Sequence, residues 1–485
     1  MSDTSSIQTT LSPQPPLDVV VMAAGKGTRM KSRLPKVLQK LAGKALLGHV
    51  LQTAAQLHAR SAVVITGHGA PEVEAAVAQW PHGLNVKFVR QEPQLGTGHA
   101  VQQAVPELAD DGWVVVLSGD VPLTQADTLQ ALMNCVRDAA SSADRLALLT
   151  LEMPNPTGYG RIVRSPDGHS VLAIVEQKDA SPEQLQIQEV YSGIMAVPAR
   201  QLKTWLAKLD NHNAQGEYYL TDVVKWAVAD GVTVVAHRIQ DELQVTGVNS
   251  PQQLAQLERA YQLQKANELM VQGVRLADPA RLDVRGELHC EADVEIDVNC
   301  VFEGQVHLGE GVRIGPNCVI ANARIAAGAV IHAFTHIDGE KLGVTVGEGS
   351  LIGPFARLRP GAQLAAEVHI GNFVEVKNST MAKGAKANHL AYLGDATVGE
   401  RVNYGAGSIT ANYDGANKHR TVIEDDVHIG SNCVLIAPVT IGAGGTVGGG
   451  SAISKSTEPG ALSVARGRQT SIANWQRPQK TPKPK

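Results

Sequence analysis

Two rhythms of apolar positions divide the chain. From Asp18 to about Gly247, uninterrupted apolar runs alternate with helix-like segments: Val19-Val20-Val21-Met22, Ala62-Val63-Val64-Ile65, Val114-Val115-Val116-Leu117 and Leu146-Ala147-Leu148-Leu149. Runs without alternation suit strands buried on both faces, so this part is expected to be α/β with a mostly parallel, Rossmann-like sheet. Pro251 stands where proline opens a helix, and Leu254, Leu257, Tyr261, Leu263 and Leu269 form an apolar stripe before Gly273. That spacing predicts a linking helix over 251–272.

Beyond it the period becomes six: Leu308-Gly309, Ile314-Gly315, Ile352-Gly353, Leu358, Leu364, Ile370-Gly371, Val376, then Ile429-Gly430, Leu435, Ile441-Gly442, Val447-Gly448 and Ile453. Small or aliphatic residues recur four places after many of these, as at Val312, Cys318, Ala356, Ala362, Val368 and Val374. The pattern resembles the hexapeptide repeat of left-handed β-helices. Three hexads would close one triangular coil, aliphatic side chains inside and Gly or Asn easing the corners. The period loses register around 338–345, 382–397 and 410–421. Loops are expected to leave the solenoid there, and such loops usually carry binding residues.

A chain of 485 residues exceeds what one hydrophobic core serves, in keeping with two domains. A formal net charge of −4 gives no reason to expect nucleic acid or an acidic membrane surface. Small molecules are the expected ligands. The first 17 residues hold no Lys or Arg, no apolar core of a signal peptide, and three prolines, Pro13, Pro15 and Pro16. No stretch reaches the roughly 18 apolar residues of a membrane span. Cys135, Cys290, Cys300, Cys318 and Cys433 are scattered without paired spacing, which suggests neither a disulfide framework nor zinc, and fits a reducing cytoplasm.

The segment Met22-Ala23-Ala24-Gly25-Lys26-Gly27-Thr28-Arg29-Met30 follows the first strand, where open α/β sheets bind ligands. It is neither a Walker A loop nor a dinucleotide fingerprint. Continued through Leu34-Pro35-Lys36, it resembles the signature of sugar-1-phosphate nucleotidyltransferases. Further strings agree in order with the uridylyltransferase branch: Gln94–His99, Leu117–Pro122, Pro156–Arg161 and Ile174–Asp179. In the second half, Leu358–Gly361, Asn372–Lys377, His389–Asp395 and Ile409–Lys418 resemble an acetyltransferase. Together, over about residues 18–478, the chain resembles the bacterial bifunctional UDP-N-acetylglucosamine pyrophosphorylase/glucosamine-1-phosphate N-acetyltransferases.

The resemblance implies CoA-dependent acetylation of glucosamine 1-phosphate, then uridylyl transfer from UTP, giving a precursor for peptidoglycan and lipopolysaccharide. It implies a loose extension over 1–17, a uridylyltransferase domain over 18–250, the linking helix, a left-handed β-helical acetyltransferase domain over 273–466 and a tail over 467–485. Arg29 and Lys36 would face the phosphates, with Met22, Ala23, Ala24, Gly25, Ser118 and Gly119 around them. Asp120 and Asn249 would hold Mg²⁺. Gln91, Gly96 and Thr97 would select uracil, and Gly160, Glu176 and Tyr191 would meet the sugar. Tyr191 departs from the Asn usual in the family, and Ser118 from a frequent Tyr.

For acetyl transfer the resemblance makes His389, one of 16 histidines, the base. Arg359 and Lys377 would grip phosphate; Tyr392 and Asn403 would touch the sugar. Ala406, Asn412, Tyr413, Ser431, Gly449 and Arg466 would line the acetyl-CoA site, and a homotrimer is implied. From the residues alone, Ala406 and Gly449 serve equally as ordinary small residues of the solenoid. Two rivals stand beside this reading: a nucleotidyltransferase with a purely structural β-helix, as in glucose-1-phosphate adenylyltransferases, and a sugar-nucleotide-binding scaffold without catalysis.

Overall fold

The computed structural model describes residues 15–137 and 144–478. Its internal contacts fall into two compact units, divided between Tyr261 and Gln262. The expected extension over 1–17 and tail over 467–485 lie partly outside the described residues. Leu17 already belongs to the first strand, and residues 467–478 form neither helix nor strand.

The first unit is built on a nine-stranded sheet. Its strands are β1 (Leu17–Met22), β2 (Ser61–Thr66), β3 (Val86–Arg90), β4 (Trp113–Ser118), β5 (Arg145–Glu152), β6 (Arg161–Arg164), β7 (Val171–Val175), β8 (Glu189–Pro198) and β9 (Thr233–Ile239). The main order is β9-β5-β8-β4-β1-β2-β3, with β6 paired to β8 and β7 to β6. Only β8 runs against its neighbours β4 and β5, so the main path is parallel apart from this strand.

Alternate residues of β1 explain the layering. Val19 and Val21 join one apolar cluster with Leu47, Val50 and Leu51 of α1 (Leu46–Gln56) and Leu129 and Leu132 of a helix over Ala126–Val136. Val20 points the other way, toward Val101, Leu202 and Trp205. Both faces are therefore covered, which is why the strand needs no polar alternation.

The helix Pro251–Val271 serves both units. Leu254, Leu257 and Tyr261 belong to a cluster with Met30, Leu41 and Val248 in the first unit. Ala266 and Leu269 belong to the core of the second. Leu263 falls off the expected stripe and is exposed.

The second unit is a parallel β-helix, the left-handed solenoid expected from the six-residue period. One face is an 11-stranded parallel sheet. The other two faces join into one ladder because Val319–Ile325 turns a corner without a break: its first half pairs with His336–Asp338 and its second with Val344–Val346. The hexad aliphatics form one continuous core, Ile314, Ile352, Leu358, Ile370, Val376, Leu435 and Ile453 among them. All five cysteines are free thiols. Burial inside the solenoid pushes the Cys300 thiol up to about 12 and that of Cys318 to about 11, so neither is a thiolate nucleophile.

Two of the expected register breaks are excursions and one is not. Residues 339–343 form a tight turn closed by Gly343 N–H donating to Gly339 O. Residues 412–420 leave the solenoid as a loop whose return is marked by His419 N–H donating to Asn412 O. Around 382–397 nothing is expelled. Met381, Ala387, Leu393 and Val398 are all buried, so one hexad is simply short by a residue.

Corners also differ from expectation. One column of left-handed corner residues reads Asn299, Asn317, Phe334, Phe355, Phe373, Leu390, Gly407, Asn432 and Gly450. Three exposed phenylalanines thus occupy positions predicted for Gly or Asn, each at a cost of roughly 1–2 kcal/mol. Their rings stack at 4.9 and 5.5 Å, which returns roughly 0.5–1.5 kcal/mol per pair.

The first coil would leave the backbone of Leu282–Cys290 unpaired at the solenoid's open end. Buried Gln262 closes part of it: its Nε2 donates to Val284 O at 2.9 Å, and its Oε1 accepts from Val284 N–H at 2.8 Å. Gln262→Ala should destabilise the second unit by about 1–3 kcal/mol, because a buried N–H and C=O lose their partners. Denaturant unfolding checks this; an unchanged midpoint would remove the capping role.

Candidate functional site

In the first unit the site grows from two loops at neighbouring strand ends. Gly119 N–H, just after β4, donates to Met22 O at the end of β1 at 2.9 Å. A Cβ on Gly119 would press on Ala23 and Val37, so the loops carrying Met22–Gly25 and Ser118–Asp120 meet edge to edge. Gly27 is left-handed, and a Cβ there would lie 2.7 Å from Cβ of Lys36. Smallness at Gly27 lets Lys36 fold back under the loop.

Lys36, Asp120 and Asn249 converge. The Lys36 ammonium donates to Asp120 Oδ2 at 2.5 Å and to Asn249 Oδ1 at 3.1 Å. Both charged side chains are largely enclosed, at 12% and 19% exposure. Val248 N–H donates to Asp120 O, tying the two loops together. Beside them lies a cavity of about 800 Å³ lined by Arg29, Asp120, Tyr159, Ser192 and Asn249, among others. The two oxygens on Lys36 are hard donors converging on one cation, a set that suits Mg²⁺ completed by phosphate and water.

Gln91, Gly96 and Thr97 form a second group. Gln91 Nε2 donates to Gly96 O at 2.8 Å, and Thr97 Oγ1 accepts from Leu220 N–H at 3.1 Å. Gln94, between them, donates to Ala24 O and links this group to the first loop. A Cβ on Gly96 would meet Tyr218 O at 2.6 Å.

Gly160, Glu176 and Tyr191 form a third. Tyr191 N–H donates to Gly160 O, and a Cβ on Gly160 would approach Glu176 Oε1. Burial raises the Glu176 carboxyl above its ordinary range, while Thr221 Oγ1 donates to it at 3.0 Å. Thr221, absent from the sequence reading, is thus part of this group. Tyr191 itself faces the apolar side of β8, clustered with Leu148 and Met195. Its buried hydroxyl has no hydrogen-bond partner among the described residues.

In the solenoid, stacking writes the site. His369 pairs with Lys386, Lys386 with Asn403, Asn403 with His428, and His428 with Thr446. Three places further on, Asn372, His389, Ala406, Ser431 and Gly449 therefore form one column along a corner. At about 4.8 Å per coil, His389 and Gly449 lie roughly 14 Å apart. Arg466 Nη1 donates to Gly449 O at 2.7 Å and closes the column. His389 is exposed, with its Nδ1 at 3.1 Å from Asn372 Oδ1. An amide oxygen only accepts, so Nδ1 carries a proton and Nε2 is the nitrogen left to act on a ligand.

A cation cluster lies at the far end of an adjoining face. Arg359 Nη1 donates to Glu375 Oε1 at 2.7 Å, and Arg357 shares that carboxylate at 3.6 Å. The Arg359 guanidinium, with Lys418 beside it, holds the Lys377 ammonium below its ordinary range. Lys418 comes from the 412–420 loop and was not singled out from sequence. Tyr392 lies over Gly394, the ladder partner of Lys377. Asn403 stands instead on the 11-stranded face, between Lys386 and His428.

The loop has its own frame. Buried Asp395 accepts from Asn412 Nδ2 at the loop's base and from Asn378 Nδ2 on the preceding coil. Asp414 accepts from Asn417 N–H at 2.6 Å, Ala416 N–H at 2.8 Å and His419 Nε2 at 2.7 Å. Exposed Tyr413 donates to Gly415 O.

These arrangements define a nucleotidyltransferase-type unit joined to a hexapeptide solenoid. Residues 19–165 match the MobA-like NTP transferase domain. The bifunctional protein GlmU of Paracidovorax citrulli is 73% identical over 476 residues, covering 96% of this chain and 99% of its own. Its counterpart in Albidiferax ferrireducens is 74% identical over 471 residues, covering 96% and 100%. That of Polaromonas naphthalenivorans is 75% identical over 472 residues, covering 96% and 99%. The chain belongs to the GlmU family: it is a bifunctional transferase of UDP-N-acetylglucosamine synthesis. Identity through both units sets aside a non-catalytic scaffold and a solenoid that is only structural.

Two outcomes follow from this geometry. Tyr191→Phe removes a hydroxyl with no protein partner, so stability should hold or rise by about 1 kcal/mol; a clear loss in thermal unfolding would mean the hydroxyl is bonded. Asp414→Ala should speed hydrogen exchange at the Ala416 and Asn417 amides by about tenfold or more. The three donors, Asn417 N–H foremost, hold the Asp414 carboxyl well below its ordinary range. Its support of the loop is complete above the unfolded carboxylate range, near pH 4, and is lost as pH falls through the depressed value. Protection of those amides should therefore not change between pH 8 and 5 on account of this group.

Proposed function

We propose that the two half-reactions are divided between the two units, acetyl transfer on the solenoid and uridylyl transfer on the α/β unit. The observation that carries this reading is the corner column Asn372, His389, Ala406, Ser431 and Gly449. It sets the His389 imidazole toward one end of a line of small residues, with Arg466 at the other. Such a line suits an extended thioester arm, its acetyl group at His389 and its nucleotide toward Arg466.

Glucosamine 1-phosphate binds by its phosphate to Arg359, Lys377 and Lys418, with Tyr392 against the sugar. His389 Nε2 takes the proton of the sugar ammonium; the freed amine attacks the thioester carbonyl, and the CoA thiol leaves. Asn412 and Tyr413 hold the acyl side of the pocket. The family resemblance implies a homotrimer, in which neighbouring copies would complete each acetyltransferase site.

In the α/β unit a phosphate oxygen of N-acetylglucosamine 1-phosphate attacks the α-phosphorus of UTP, and pyrophosphate leaves. Arg29 and Lys36 neutralise the equatorial charge, and Met22–Gly25 and Gly119 let backbone N–H groups approach the phosphates. Mg²⁺, held by Asp120 and Asn249, would draw charge from the phosphate oxygens and fix their geometry. Gln91, Gly96 and Thr97 form the uracil edge, and Glu176 takes sugar hydroxyls. Among the described residues no helix is long and apolar enough to cross a membrane. With five free thiols, this supports a cytoplasmic setting.

Purified protein given glucosamine 1-phosphate and acetyl-CoA without UTP should release free thiol, and His389→Ala should slow release by about 10²–10⁴-fold. Asp120→Ala should abolish pyrophosphate release from UTP while thiol release continues. Full thiol release by folded His389→Ala would overturn the base assignment. Loss of both activities in folded Asp120→Ala would overturn the division between units.

A further inference from the structure

The Lys36 ammonium sits between the two oxygens that the proposed function gives to a divalent cation. Asp120 Oδ2 lies at 2.5 Å and Asn249 Oδ1 at 3.1 Å from its Nζ. Two cations do not share a pair of oxygens at those distances, because each would face the other's charge with nothing between them. Lys36 is also the residue expected to meet the nucleotide phosphates. Asp120 and Asn249 take two of its three donors, leaving one for a phosphate.

We propose that the Lys36 ammonium and the divalent cation are alternative occupants of the Asp120–Asn249 oxygen pair, so that Lys36 is freed for the phosphates only when the cation takes the pair. This rests on the reading that Asp120 and Asn249 bind the cation.

The structure provides what such an exchange requires. Lys36 is anchored next to Pro35 at the start of a short turn, Lys36–Leu38, whose Val37 and Leu38 are buried. Its backbone therefore stays in place while the side chain swings. Gly27, with no Cβ, leaves the side chain's root uncrowded on the loop side. The cavity of about 800 Å³ borders Asp120 and Asn249 and gives the cation and its waters a way in. With the ammonium in place, Asp120 is neutralised and stays in an enclosed position without a metal; an unpaired carboxylate there would be costly. The pair also keeps Lys36 masked, so the site does not offer its full positive charge to a free anion before the cation arrives.

The test uses the full chain without nucleotide and Mn²⁺ alone, with free Mn²⁺ read by electron paramagnetic resonance. Lys36→Met removes the competing charge and supplies no oxygen ligand. If the ammonium occupies the pair nine-tenths of the time, Mn²⁺ should bind about tenfold more tightly to Lys36→Met than to the wild type. Asp120→Asn should weaken binding in both backgrounds. Equal or weaker Mn²⁺ binding by Lys36→Met, with Asp120→Asn still weakening it, overturns the exchange and leaves the cation reading standing. No effect of Asp120→Asn on Mn²⁺ binding by Lys36→Met overturns the cation reading itself. A second measurement needs no variant: acylation of Lys36 in the wild-type protein by an amine reagent, followed by mass spectrometry, should quicken when Mn²⁺ is added. Unchanged Lys36 reactivity at saturating Mn²⁺ likewise overturns the exchange.

Discussion

Everything in the second unit depends on successive coils stacking in register. A parallel ladder tolerates no slip, because a one-residue shift turns every inward aliphatic out to solvent. The core from Ile296 to Ile453 keeps its phase only because each coil's variation is absorbed elsewhere. It goes into a turn at 339–343, a loop at 412–420, or a hexad short by one residue. Stacking brings together residues far apart in sequence at the spacing of neighbouring strands. Asn372 meets His389 across one coil step, and Ala406, Ser431 and Gly449 continue the same line. Corner geometry is likewise imposed by the coil, so Phe334, Phe355 and Phe373 accept left-handed backbone that their side chains disfavour. Ring stacking along that corner offsets part of the strain.

The first unit makes its site by a different route. There the ligand-facing groups stand at the ends of adjacent parallel strands, where loops from β1 and β4 are forced side by side. Contact between them is possible because Gly119 has no side chain to hold Met22 and Ala23 away. Lys36 and Asn249 arrive from other parts of the chain, and their meeting at Asp120 is set by packing of the surrounding loops, not by a ladder. Sites of the first kind tolerate little local variation in coil length. Those of the second kind move when a loop moves.

This difference explains what could be read from the sequence. The strands of the first unit were legible because burial on both faces leaves apolar runs such as Val114–Leu117. The solenoid was legible because its period repeats over many coils. Around 382–397 the lost residue looked like an expelled loop, since a pattern of six shows only that phase changes and not where the chain goes. Leu263 lies off the helical stripe because the stripe is not continuous: the helix contributes separately to each unit. Asn372 and Lys418 lie inside strings that resemble an acetyltransferase but show no individual role there, and Thr221 lies outside every such string, as their partners are fixed by stacking or by loop packing. Tyr191, a position expected to meet the sugar, carries a ring packed into the apolar side of β8, with its hydroxyl enclosed.

The charge patterns of the two sites are opposite, and each suits its substrate. On the solenoid, Arg357 and Arg359 share Glu375, and Lys377 lies beside Arg359 and Lys418, so positive charge is in excess before any ligand arrives. The depressed Lys377 ammonium is the cost of that crowding, and a dianionic phosphate relieves it on binding. In the α/β unit, by contrast, Lys36 is matched one to one by Asp120. With Lys36 so paired, Arg29 still faces the cavity. On the proposed assignment, a triphosphate would bring enough negative charge to carry a cation with it, and the carboxylate that pairs with the lysine would favour a nucleotide with its metal over smaller anions.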